Sequence, residues 1–186
     1  MDSTKFEDDV LQPYGLLSNF CGTWCSEQDV LKVAHGLGAD VSSAECATWP
    51  FIEDNAVLIG RLGGWTLALE QLTWRGGDKQ TLVALSTGGR QAVNYQKNIN
   101  GVSRFTYAAD GRLLVRFEPA MGRRDHWSGE DPHVLIPYLA GLPLGEGTAD
   151  NDGQYRLATF VLIQRLTGHP FDASWLGAEH QSFRLT

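Results

Sequence analysis

With 186 residues the chain falls within the range of one domain, and a globule of that size buries roughly 70% of the surface its unfolded chain exposes, so a full core is within reach. Apolar residues make up 42% and charged residues 20%, ordinary globular usage that excludes a disordered or fibrous chain. The formal net charge of −7 argues against nucleic acid, which is held by clustered Lys and Arg, and leaves a protein partner, a basic one included, compatible with the composition.

Met1 to Tyr14 carries Glu7, Asp8 and Asp9 and no apolar run, so it reads as neither a secretory signal nor a membrane segment. The expectation is a cytoplasmic chain with no membrane partner. Cys21, Cys25 and Cys46 form an odd set and read as buried free thiols in a reducing compartment. Cys21-Gly-Thr-Trp-Cys25 has three intervening residues and neither a second pair nor a nearby His, so no zinc site and no other cofactor is expected. Asn19 to Cys25 alternates as a short strand. Ser26 is placed to cap a helix over Glu27 to His35, with Val30, Leu31, Ala34 and Leu37 at helical spacing and Gly36 and Gly38 as its stop. Ala44 to Thr48 reads as a second short helix that ends before Pro50.

From Ala56 to Glu118 short β-rich runs alternate with turn residues, the pattern of an antiparallel meander. Strands are predicted at Ala56–Gly60, Trp65–Glu70, Thr81–Leu85, Ala92–Lys97, Ser103–Ala108 and Arg112–Glu118. Turns are predicted at Gly63-Gly64, Gly76-Gly77, Gly88-Gly89 and Asp110-Gly111. Trp65, Leu67 and Leu69 share one face of their strand while Thr66, Ala68 and Glu70 share the other, which predicts a sheet covered on one side. In the last hairpin a three-residue loop, Ala109-Asp110-Gly111, would set Phe105 opposite Val115, Tyr107 opposite Leu113 and Ser103 opposite Phe117. That register makes Arg104 and Arg116 direct neighbours, an unfavourable pair unless an anion or a carboxylate sits between them. Arg104 and Arg116 are therefore candidate partner-binding residues. Trp74 and Trp127, aromatic residues on turns, join them.

Ala120 to Pro132 is the most chemically loaded stretch. Asp125, His126, Glu130, Asp131 and the following His133 could serve a metal-assisted hydrolase if the loop folded back on itself, although their spacing matches no metal motif. Asp131 and Pro132 would alternatively start a helix carrying Val134, Leu135, Ile136 and Tyr138. Gly141 to Gly153 reads as a mobile surface connection. Tyr155 to Thr167 is apolar around most of its circumference and predicts a well-buried helix lying across the sheet, ended by Gly168. Asp172 is placed to cap a short helix through Trp175 and Leu176, before a polar end at Gln181 to Thr186.

The sum is a single α+β domain over residues 1–186. A mainly helical N-terminal part (1–54) precedes a roughly six-stranded antiparallel meander sheet (55–118), then a loop and C-terminal helices (119–186).

The stretches Leu58 to Glu70, Ser103 to Arg112, Phe117-Glu-Pro119 and Leu166-Thr-Gly168 resemble an actinobacterial family catalogued only as a domain of unknown function, with its Gly-Trp-Thr…Glu strand and Arg-Phe-Xaa-Tyr…Asp-Gly hairpin. The resemblance implies a bacterial cytosolic origin and transfers no catalytic residue. No nucleophile elbow, phosphate loop or His-Glu-Xaa-Xaa-His helix occurs. The sequence therefore favours a non-enzymatic protein-binding module, immunity-like or regulatory, over a metal-assisted hydrolase built on the Asp125–His133 loop.

Overall fold

The computed structural model describes residues 3–17, 19–50, 55–120, 123–146 and 152–186. The strands, in chain order, are β1 (Phe20–Cys25), β2 (Ala39–Ala47), β3 (Ala56–Leu62), β4 (Trp65–Glu70), β5 (Gln91–Lys97), β6 (Ser103–Ala109), β7 (Arg112–Phe117) and β8 (His180–Leu185). They form one antiparallel sheet in the order β2-β8-β3-β4-β1-β5-β6-β7. The fold is thus α+β with eight strands among the described residues rather than six. β1 and β2 come from the part read as mainly helical, and β8 comes from the polar end.

Each difference has a physical cause. Ala44 to Thr48 was expected to be helical, yet Ala39–Ala47 is an edge strand, because its small residues have no strong preference of their own and ladder bonds to β8 decide their state. Thr81–Leu85 was expected to be a strand on its β-branched residues. It lies instead in helix α3 (Lys79–Leu85), where Asp78 accepts from the backbone N–H groups of Gln80 and Thr81 and buries Leu82 and Leu85 on one side. Helix α2 (Val30–Gly36) begins later than Ser26, since Ser26 is occupied by β5: its hydroxyl accepts from the Gln91 N–H at 2.8 Å. Asp29 is the cap. The segment after Asp131 makes turns and a 3-10 turn at Ile136–Tyr138 rather than an α-helix, with the Asp131 carboxylate accepting from the His133 N–H and the Asp131 carbonyl from the Val134 N–H.

The sheet is covered on both faces. On one, α1 (Ser3–Phe6) with the π turn that follows it, α4 (Asp152–Thr167) and α5 (Ala173–Leu176) pack over Trp65, Leu67 and Leu69. Phe20, Trp24 and Tyr95 meet Phe160 and Phe171 there, the last two stacked at 5.1 Å. On the other, α2 and α3 cover Val57, Ile59, Ala68 and Phe183, which corrects the expectation of one wet side. Such burial stabilises by about 1.5–3 kcal/mol for each large apolar side chain. As predicted, α4 is buried around most of its surface and Gly168 ends it at φ 77°, while Asp172 caps α5. Of the connection predicted at Gly141 to Gly153, residues 147–151 lie outside the described residues. All three cysteines are free, with Cys21 and Cys25 buried and Cys46, contrary to expectation, exposed. Among the described residues no helix is long and apolar enough to cross a membrane.

Candidate functional site

The β6–β7 hairpin closes through a two-residue turn. Asp110 and Gly111 both have positive φ (50° and 74°), the conformation of a type I′ turn, and pair Ala109 with Arg112 and Ala108 with Leu113. A bulge at Leu114 then shifts the register, so that Tyr107 opposes Val115, Thr106 opposes Arg116 and Phe105 opposes Phe117. The predicted three-residue loop is therefore replaced by a tight turn plus a mid-strand bulge, which presents Leu114 and Val115 together to the core. Arg104 and Arg116 are not directly opposed. They are diagonal neighbours on the face that α3 covers, with Arg116 Nε donating to Thr106 Oγ1 at 3.3 Å.

The outer edge of β7 is closed by the loaded loop. Arg116 N–H donates to Ser128 O at 2.7 Å and Ser128 N–H donates back to Arg116 O at 3.0 Å, while the Glu130 and Asp131 N–H groups donate to Leu113 O and Leu114 O. Gly129 makes the approach possible. Its φ of 129° suits glycine, and a Cβ there would lie 2.2 Å from Leu114 O. The same closure lays the Trp127 indole flat on Phe117, ring centroids 4.0 Å apart.

At this corner lies a pocket of about 330 Å³ lined by Arg104, Arg116, Phe117, Glu118, His126, Trp127 and Ser128. Both arginines are half-buried, and among the described residues no carboxylate forms an ion pair with either. Burial, and then the neighbouring Arg104, lower the Arg116 pKa, with Asp78 at the α3 N-terminus opposing them. Among the described residues Trp127 Nε1 has no hydrogen-bond partner though it is buried, and His126 and Ser128 stand exposed at the rim. Glu118, the wall's carboxylate, is exposed.

Three of the four partner-binding candidates, Arg104, Arg116 and Trp127, therefore meet in one pocket, although Trp127 is buried rather than displayed. Trp74 stands apart, at the start of the 3-10 turn Arg75–Gly77. Of the hydrolase candidates only His126 reaches the pocket. Asp125 pairs with Arg123 at 3.4 Å, Glu130 pairs with Arg112 at 3.9 Å, Asp131 accepts from the His133 backbone, and all five residues are exposed. Among the described residues no three of His, Cys, Asp and Glu come together to hold a metal ion.

A polar stripe that the sequence reading overlooked runs from this pocket across the α3-side face. Neighbouring strands align Glu70, Cys21, Gln96 and Arg104 in one row and Thr23, Asn94, Thr106 and Arg116 in the next. At its far end the buried Glu70 carboxylate accepts from Thr73 Oγ1 and from the N–H groups of Arg75 and Gly76, so it anchors the 3-10 turn. The signal for the stripe was the pair of polar residues two apart on the same side of β5 and β6, Asn94 with Gln96 and Arg104 with Thr106.

The model of a family described as a family of unknown function (DUF6461) matches residues 29–181, a span that includes every residue of the pocket. The chain belongs to this family. The match agrees with the likeness seen in the sequence at the level of a family of unknown function, and membership assigns no role to any pocket residue. No curated protein and no solved structure matches the chain.

Proposed function

We propose that this protein is a non-enzymatic binding module, immunity-like or regulatory, that docks a protein partner in the bacterial cytosol. The β6–β7 corner is its docking face. One observation carries this reading: two half-buried guanidiniums share a pocket and no carboxylate of the described chain pairs with either. Cations held in this way repel each other and lose hydration, a cost that an anionic group from outside offsets. The stacked Trp127 and Phe117 supply a rigid wall beside them. A partner that is basic overall, as the net charge of −7 favours, would present an acidic group at this point.

The test starts with capture from native lysate by the tagged protein, followed by titration of the purified pair. Arg104→Glu with Arg116→Glu should weaken the complex by about 2 kcal/mol or more, roughly 30-fold. A dissociation constant unchanged in that variant would remove the corner from the interface.

A further inference from the structure

We propose that the Arg104–Arg116 pocket takes a phosphomonoester, the phosphorylated side chain of a protein partner. The inference rests on the binding-module reading and names the chemistry of the group that module receives.

The argument begins with geometry. A carboxylate is planar and offers two oxygens, enough for one guanidinium fork. Arg104 and Arg116 come from different strands, diagonal across the β6–β7 ladder, and line the same cavity. A tetrahedral phosphoryl group offers three acceptor oxygens and about 1.5 to 2 negative charges, so it accepts from both forks at once. The remaining walls suit the same ligand, since Ser128 brings a hydroxyl and His126 an imidazole. Arg116 is held in place through Thr106 on one side and the Ser128 ladder on the other, so it is preorganised for a fixed ligand. The cavity of about 330 Å³ leaves room for the carbon chain that bears the phosphate.

Glu118 is the opposing element. Its carboxylate lines the pocket without pairing with either arginine. It repels an incoming anion, so its neutralisation tightens binding if the ligand is anionic and weakens it if the ligand is a cation.

The experiment follows the Trp127 indole and the Arg104 and Arg116 Nε resonances of the 15N-labelled full chain during titration with N-acetyl-phosphoserine amide, inorganic phosphate and N-acetyl-glutamate amide. The expected result is saturable shifts with phosphoserine at concentrations about tenfold below those needed for glutamate. Arg104→Gln with Arg116→Gln abolishes them, Arg112→Gln on the exposed start of β7 leaves them, and Glu118→Gln strengthens them. Absence of saturable shifts, equal affinity for glutamate, or binding that survives the double arginine change overturns the proposal, as does weakening by Glu118→Gln. Equal affinity for inorganic phosphate would give the site to the free ion and overturn its assignment to a side chain. If phosphoserine binds while no protein partner is captured, the binding-module reading falls and the phosphate site stands.

Discussion

Trp127 lies flat on Phe117, with ring centroids 4.0 Å apart and planes within 9° of parallel, and Phe117 in turn stacks on Phe105 at 4.9 Å. This column joins the loop that closes β7 to the sheet itself, so the shape of the arginine pocket depends on it. Trp127→Ala should cost about 3–5 kcal/mol, the range for truncating a large buried aromatic. Trp127→Phe should keep the stack and lose less. Urea unfolding measures both, and equal losses would show that the stacked ring is not what holds the loop.

Glu70 sets a second expectation. Both of its oxygens are committed to donors, Oε1 to the Gly76 N–H at 2.8 Å and Oε2 to the Arg75 N–H at 2.8 Å and Thr73 Oγ1 at 2.7 Å. Glu70→Gln turns one acceptor into a donor that faces another donor, whichever way the amide lies, and should cost about 1–3 kcal/mol. The turn it anchors is pressed against the sheet, for a Cβ on Gly76 would lie 1.9 Å from Thr23 Oγ1. Gly76→Ala should therefore cost about 1–3 kcal/mol by overpacking. Gly64→Ala, with no atom within 4 Å of the added carbon, should be near neutral by the same unfolding assay.

Stability should fall in acid. For Glu27 the Asp29 backbone N–H that donates to it, with Lys32 and Arg90 nearby, holds the carboxyl below its usual range. Burial would raise the Asp152 carboxyl, and Lys97 and Arg156 outweigh that and lower it. A folded-state pKa below the unfolded one means that the unfolded chain binds protons first as pH drops. The contribution is complete above the ordinary carboxylate pKa of about 4 and is lost below it. The urea midpoint should drop between about pH 5 and pH 3, with a shallower drop in Asp152→Asn. An identical acid limb in that variant would place the linkage elsewhere.

An alkaline limb should appear as well. Burial pushes the Tyr95 hydroxyl up to about 12. The unfolded tyrosine ionises near its ordinary pKa of about 10, so stability is full below that value and is lost as pH rises toward the folded one. Tyr95→Phe should flatten this limb in the same measurement.

The thiols provide an independent check of the packing. In the native protein a thiol-reactive chromophore should modify Cys46, slowly because the Glu179 carboxylate that accepts its hydrogen bond raises its pKa. Cys21 and Cys25 are buried, and burial raises both, so they should react only in denaturant. Reaction of either in the native state would mean that β1 opens.

Local pattern determined much of this protein from sequence alone. The runs that became β1 and β3 to β7 are short, β-rich and bounded by turn residues, so they can be read directly. α4, the stop at Gly168 and the Asp172 cap follow from helical spacing and capping chemistry that act within one turn. Arg104 and Arg116 were expected on one face from a three-residue loop; the tight turn that forms would by itself have set them on opposite faces, and the bulge at Leu114 brings them back to one. The tertiary structure decided the rest. β8 is a strand because it fills the gap between β2 and β3, where its polar residues gain ladder bonds that no local pattern announces. Thr81 and Val83 carry strand preference, yet the Asp78 cap and a core that receives Leu82 and Leu85 make that segment a helix and cover the second face. The pocket needed both kinds of information: alternation singled out Arg104 and Arg116, but the bulge in β7 puts them on one face, and His126, Trp127 and Ser128 reach them only because that bulged edge strand required a loop to satisfy its free N–H and C=O groups.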